Sequence, residues 1–253
     1  MRSIYAIYRK EMGHYFVSPV AYVVVSIFLI LSAFFFNLYL GQVMEQAFGG
    51  PETPDGPSQI FRAFLGLVAL LNLFLMPLLT MGTFSEERKR GTMELLMTSP
   101  ISELDIVLGK YLASFTLFAV MLLPTASLFI VLWLHTDPRP PLSMLLAGYL
   151  GVLLFGGCLL ALGMFLSSLT ENQIIAFALT FGSFLLLWAI DFGSRGAAGP
   201  VGLVVAYLSV INHYEDFTQG IIDTSGLIYY ASFIVLFIFL TVRSVDSMRW
   251  RRA

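Results

Sequence analysis

Six long apolar stretches, at 20–40, 61–84, 107–134, 142–166, 174–190 and 227–242, constrain this chain more than any other feature. A bilayer core about 30 Å thick takes about 20 residues of apolar helix to cross, and each stretch approaches or exceeds that length. Helix satisfies every backbone polar group within its own segment, which is what hydrocarbon demands. The chain therefore reads as all-α and polytopic, with six transmembrane helices. Only 12% of residues are charged, against about 25% in soluble domains, and the mean hydropathy is +0.83. Six such helices occupy most of the 253 residues. A single transmembrane domain over 1–253 is expected, with no room for a separate soluble catalytic domain.

Basic residues set the expected orientation. Arg2, Arg9 and Lys10 precede the first stretch. Arg88, Lys89, Arg90 and Lys110 lie between the second and third, and Arg243, Arg249, Arg251 and Arg252 follow the sixth. Eleven of the 14 bases thus fall on one side, leaving Arg62, Arg139 and Arg195 for the other. The positive-inside rule places both termini and the 85–106 loop in the cytoplasm. A seventh apolar run, 201–210, is too short to span and would invert that bias, so it is expected to be re-entrant or interfacial on the outer side. The first stretch reaches full spanning length without a small-residue cleavage site, so no cleaved signal peptide is expected. Cys158 is the only cysteine, which excludes an intramolecular disulfide.

Residues 2–16 form an amphipathic pattern. Ile4, Tyr5, Tyr8, Met12, Tyr15 and Phe16 gather on one arc, Arg2, Arg9, Lys10 and His14 on the other, with Ile7 the misfit. An interfacial helix is expected, broken from the first span at Ser18-Pro19. Residues 43–60 hold glycines and prolines typical of coil. Pro77 and Pro124 fall inside the second and third spans and should kink them, because each removes a backbone hydrogen bond. Ala147, Gly148, Gly151, Gly156, Gly157 and Ala161 let backbones approach the fourth span closely, for packing within the subunit before any dimer seam. In the outer segment 191–226, Pro200 suits the first turn of a helix over 201–210. Asn212 with Glu215 resembles a cap that starts a second helix over 213–222.

The segment 85–110 carries the functional signal. The second span should run on through Glu86, Glu87 and Arg88 and stop at Gly91. Thr92 can cap a short helix whose Met93, Leu96 and Met97 share an apolar face needing a partner. Ser99-Pro100 ends it, and Ser102 with Asp105 makes a capping box for the third span.

The runs Ser85-Glu86-Glu87-Arg88, Gly91-Thr92-Met93-Glu94-Leu95-Leu96, Ser99-Pro100-Ile101-Ser102 and Gly109-Lys110 resemble the signature of ABC-2-type permeases, the six-helix membrane subunits of ATP-driven exporters. The stretch from Asn212 and Glu215 through Gly220 and Asp223 to Arg243 is similar to the gliding-motility-type branch, with the permease of nitrous-oxide-reductase maturation as a relative. The resemblance implies a type V exporter fold in a bacterial cytoplasmic membrane. Residues 1–18 would be the connecting helix and 92–98 the coupling helix that docks on a separate P-loop ATPase. It implies two ATPase copies, and a second permease copy paired through spans one and five. It implies re-entrant helices over 196–224. Met93 replaces the leucine more usual after Gly-Thr, a volume-conserving change. Met93→Asp or Leu96→Asp is expected to uncouple ATP hydrolysis from function.

The chain has no phosphate loop of its own. Gly109-Lys110 is followed by Tyr111 and lacks the preceding glycine. No cofactor is expected on this chain, ATP and Mg belong to the partner ATPase, and the chain itself is not expected to be an enzyme. An ion-driven secondary transporter is the alternative, but it would place ionisable groups at mid-membrane, where these spans offer only Asn37 and Asn72. His14, His135 and His213 are scattered over both sides, and His213 with Glu215 and Asp216 reads as a capped helix start before a metal site. Methionines are ordinary filling, not a copper cluster. Nothing points to nucleic acid. An uncharged interior fits either export of an amphipathic cargo or mechanical work on a periplasmic or accessory membrane partner.

Overall fold

The computed structural model describes residues 2–49, 56–93, 101–136, 139–196 and 207–250. They form α1 (Arg2–Val17), α2 (Pro19–Gly49), α3 (Gly56–Thr80), α4 (Ser85–Lys89), α5 (Glu103–His135), α6 (Leu142–Leu169), α7 (Gln173–Gly196), α8 (Val210–Thr218) and α9 (Thr224–Trp250). The described residues contain no strand. Six helices are long and apolar enough to cross a membrane: α2, α3 continuing into α4, α5, α6, α7 and α9. The architecture is that of a polytopic all-α membrane protein, as the six apolar runs require.

Several boundaries differ from those read in the sequence. The helices on either side of the 43–60 coil are longer, α2 running to Gly49 and α3 starting at Gly56. Glycine and proline at helix ends are tolerated because the first and last turns lack some intrahelical partners anyway. The 50–55 remainder lies outside the described residues. The break between α1 and α2 falls at Ser18, as Pro19 dictates. Ser102 caps α5, its hydroxyl accepting from the Asp105 N–H at 3.2 Å. Pro77 and Pro124 both lie inside helices.

The bundle is centred on α3 and α6. Of their most apolar windows, 72% and 67% are buried, against 17% for α7 and α9. The inner pair packs against protein, and the outer helices turn their apolar surface outward, where lipid is the solvent. Glycines on α6 make this possible. A Cβ at Gly148 would stand 2.5 Å from Leu65, at Gly156 2.2 Å from Phe118, and at Gly163 2.3 Å from the Thr80 hydroxyl. Bare backbone therefore lies against α3 and α5, and the small residues serve packing within the chain. Around Phe129 of α5, the rings of Phe36, Phe61 and Phe64 stand edge-on at 5.6, 4.6 and 5.0 Å. Such pairs contribute about 0.5–1.5 kcal/mol each beyond area burial. They tie α2, α3 and α5 at one level of the bundle.

Asn72, at mid-helix in α3, is wholly buried, and neither amide atom hydrogen-bonds within the protein.

Candidate functional site

The ends of α3, α6 and α9 and the starts of α5 and α7 meet at one end of the bundle, together with α1. The start of the chain's first described helix and the end of its last therefore lie at that end.

α1 reaches this end through the face that periodicity made a misfit. Ile7 is buried against Gly109 of α5, where a Cβ would stand 2.8 Å from the isoleucine side chain. Glu11, one turn later, is also buried. The Tyr15 hydroxyl shares a 2.8 Å hydrogen bond with Ser114 Oγ, and burial raises the tyrosine pKa above its ordinary value. α1 is thus a packed helix on α5 as well as an amphipathic one. The Ile7/Glu11 seam, at i and i+4, was missed because an acid within an apolar face breaks the pattern unless its partner is known.

That partner is Lys110. Its side chain is 2% exposed, and Nζ lies 3.0 Å from Glu11 Oε1 and 3.1 Å from Glu87 Oε1. Lys10 approaches Glu87 at 3.3 Å from the solvent side. Lys110 counts among the bases of this side in the sequence, and the fold draws it inside at the same end. One buried cation between two carboxylates, with a second cation at the rim, leaves no uncompensated charge, the condition under which a buried ion pair is tolerated. The cluster joins α1, α4 and α5, elements 77 and 99 residues apart in sequence by the Lys10–Glu87 and Glu11–Lys110 pairs.

A second set of bonds fixes α4 to α6. Ser167 Oγ accepts from the Phe84 and Ser85 N–H groups at 3.2 Å each and donates to the Met81 carbonyl at 3.0 Å. Arg88 donates to the Ser168 carbonyl at 2.7 Å and pairs with Glu171 at 3.0 Å. Ser168 donates on to Ser244 of α9 at 2.8 Å. Glu86 pairs with Arg90.

The chain then leaves α4 through Gly91, whose φ of +68° is a left-handed conformation that L side chains rarely adopt. The Gly91 N–H donates to the Arg88 carbonyl at 3.2 Å, and the Thr92 hydroxyl donates back to the Glu87 carbonyl at 3.4 Å. These bonds satisfy carbonyls at the helix end. Met93 is 4% exposed and belongs to the chain's own core. This corrects the reading of Met93 as part of a partner-seeking face. Glu94, Leu95, Leu96, Met97, Ser99 and Pro100 lie outside the described residues. A cleft of about 870 Å³ opens beside this junction, lined by Lys10, His14, Glu86, Arg90 and Lys110 among others.

The opposite end is organised by α8. Its cap is Ser209, whose hydroxyl accepts from the Asn212 N–H at 3.2 Å. Asn212 therefore lies inside the helix, which starts at Val210 and ends at Thr218. The expected start at Asn212 is corrected by three residues: the serine, a strong cap former, stands at the end of the preceding apolar run. Ser209 was passed over because the 201–210 run was read as helix through it; residues 197–206, Pro200 included, lie outside the described residues. Glu215 falls mid-helix and lines a cavity described below.

The turn that closes α8 passes through Gly220, with φ of +84°. Gly220 N–H donates to the Phe217 carbonyl and Ile221 N–H to the Asp216 carbonyl, the paired bonds of a Schellman motif. A Cβ at Gly220 would also stand 3.0 Å from the Met144 backbone. Asp223 then starts α9, accepting from the Ser225 N–H at 3.3 Å. Hydrogen bonds from Ser225 hold this exposed carboxyl below its ordinary pKa.

α8 sits well inside the bundle. Phe217 is fully buried against Gly151, where a Cβ would lie 2.4 Å away. The Tyr214 hydroxyl donates to the Leu65 carbonyl at 2.8 Å. Gly151 and Leu65 are each nine residues from the starts of α6 and α3, about 13 Å along a helix axis. The His213 ring stacks on Tyr229 at 4.2 Å, and its Nδ1 is 2.9 Å from the Ser209 carbonyl. Among the described residues, no three His, Cys, Asp or Glu groups gather to hold a metal ion.

No curated relative matches the chain. A family model described as ABC-2 family transporter protein matches residues 5–245, from within α1 to within α9. Six apolar helices and a match over nearly the whole length agree: the chain belongs to the ABC-2 family of transporter proteins, the membrane components of ABC transporters.

Proposed function

We propose that this chain is the permease subunit of an ATP-driven exporter of a bacterial inner membrane, with both termini in the cytoplasm and two copies working with two copies of a separate ATPase. The observation that carries the reading is the Lys110–Glu11–Glu87 cluster. It joins α1, α4 and α5 beside the start of the 92–98 segment, so a push delivered there reaches three elements through one buried charge set. Glu86, Glu87, Arg88, Gly91 and Thr92 hold that segment to the bundle, and Leu96 and Met97 are assigned to the ATPase contact. α8 is the re-entrant element of the outer leaflet. Export of an amphipathic cargo and mechanical work on a periplasmic partner are both served by this arrangement.

Gentle purification of the tagged chain from its native host, with mass spectrometry of what accompanies it, tests the reading. A P-loop ATPase at near-equal stoichiometry is the expected result. Leu96→Asp should then lower stimulated ATP hydrolysis while leaving the permease in the membrane. Purification alone in several mild detergents would overturn the reading.

A further inference from the structure

A cavity of about 330 Å³ lies between α3, α7 and α8, in the half of the bundle away from the termini. It runs along α3 from Arg62 to Leu73, eleven residues or about 16 Å. Polarity changes along that length. Arg62, Glu215 and Gln219 line it at the level of the α3 start, and Leu70, Leu73 and Phe155 line it deeper. Arg62 makes no ion pair among the described residues. Leu70 is 44% exposed and Trp188, on the facing helix, 39%, so the cavity opens sideways to whatever surrounds the bundle.

We propose that this cavity binds an amphiphile with one apolar chain and a singly anionic head, the head held by Arg62 and the chain lying along α3. Its volume is at the lower end for ligand pockets, about 300–1,000 Å³, which favours one chain over two. A guanidinium near a bilayer is a ready donor to carboxylate or phosphate. The Glu215 carboxylate lines the same cavity and disfavours a doubly charged head. Two sources supply such a molecule, the surrounding bilayer and a cargo in transit. The proposal rests on the membrane placement of the chain and not on ATP coupling.

Trp188 provides the test. With Trp133→Phe and Trp250→Phe it is the sole tryptophan of three. The full chain in phosphatidylcholine nanodiscs is titrated with a dibrominated fatty acid, whose bromines quench indole fluorescence. Saturable quenching, relieved by the unbrominated acid, is expected. Arg62→Gln should weaken it roughly tenfold, the size of one charge-assisted hydrogen bond, and Arg62→Lys should restore part of that loss. Gly66 lines the cavity, and a Cβ there meets nothing within 4 Å. Gly66→Leu should therefore fill the space without a clash and abolish the saturable part. Saturable quenching also by brominated lysophosphatidylglycerol assigns the site to single-chain lipid of the bilayer, quenching by the free acid alone assigns it to a carboxylate ligand, and saturable quenching by two-chain brominated phosphatidylglycerol would overturn the one-chain assignment. Quenching that rises linearly with bromolipid, or that is the same in wild type, Arg62→Gln and Gly66→Leu, would overturn the proposal.

Discussion

Lys110 holds two carboxylates, Glu11 and Glu87, within about 3 Å of one buried ammonium. Removing the cation leaves the two acids facing each other with no counter-charge between them. Lys110→Met is expected to destabilise the protein by about 3–5 kcal/mol, the usual cost of breaking a buried ion pair from one side, as read by thermal unfolding in mild detergent. A change below about 0.5 kcal/mol would mean that the cluster does not hold the junction together. Asn72 presents the opposite case, an amide buried with no partner of its own. Asn72→Leu is expected to raise stability by about 1–3 kcal/mol, because it removes an uncompensated polar group at similar volume. Met93, buried in the chain's own core, makes Met93→Asp a folding lesion: the protein should be lost from the membrane fraction, unlike Leu96→Asp.

Among the elements, α8 is seated on α6 by an aromatic wedge, Phe217 against Gly151. Gly151→Ala forces Phe217 from its seat, since a Cβ would stand 2.4 Å from the phenylalanine Cβ. Hydrogen exchange over 207–220 should accelerate by at least tenfold, while the six spans stay protected; unchanged exchange in α8 would show that Phe217 is not what seats it. The helices themselves were legible because apolar length is a one-dimensional property of sequence, and Ser102 was legible because its partner Asp105 stands three residues on. What could not be read was pairing across the chain. Glu11 and Lys110 are 99 residues apart, and nothing in the local sequence of either points to the other. Ile7 looked like an error in an amphipathic pattern for the same reason. Its partner is the bare backbone of Gly109, and a glycine advertises nothing about which helix fills the space beside it. The cap of α8 was misplaced because Ser209 closes an apolar run, and an apolar run read alone gives no reason to stop short of its last residue.

For the molecule as a whole, burial of Cys158 at the centre of the bundle offers a means of testing the topology. The only cysteine is wholly buried, so the native chain should stay unlabelled by a membrane-permeant maleimide until it is denatured. Cysteines introduced at Lys89 and at Gln219 should then label from opposite sides of the membrane in intact vesicles. Labelling of both from one side would reverse the assignment of α8 to the face away from the termini.

α1 precedes α2 in the chain, separated from it by Ser18 alone, yet its buried seam, its tyrosine bonds and its acid all engage α5. Covalent order and load path are therefore different in this protein. A tilt of α1 is expected to reach the third membrane-crossing helix before the first, although Ser18 alone separates α1 from the first. A continuous chain of attachments runs α1, α5, α4, α6 and α9, through the Glu11–Lys110–Glu87 charges and the Ser167, Arg88 and Ser168 bonds.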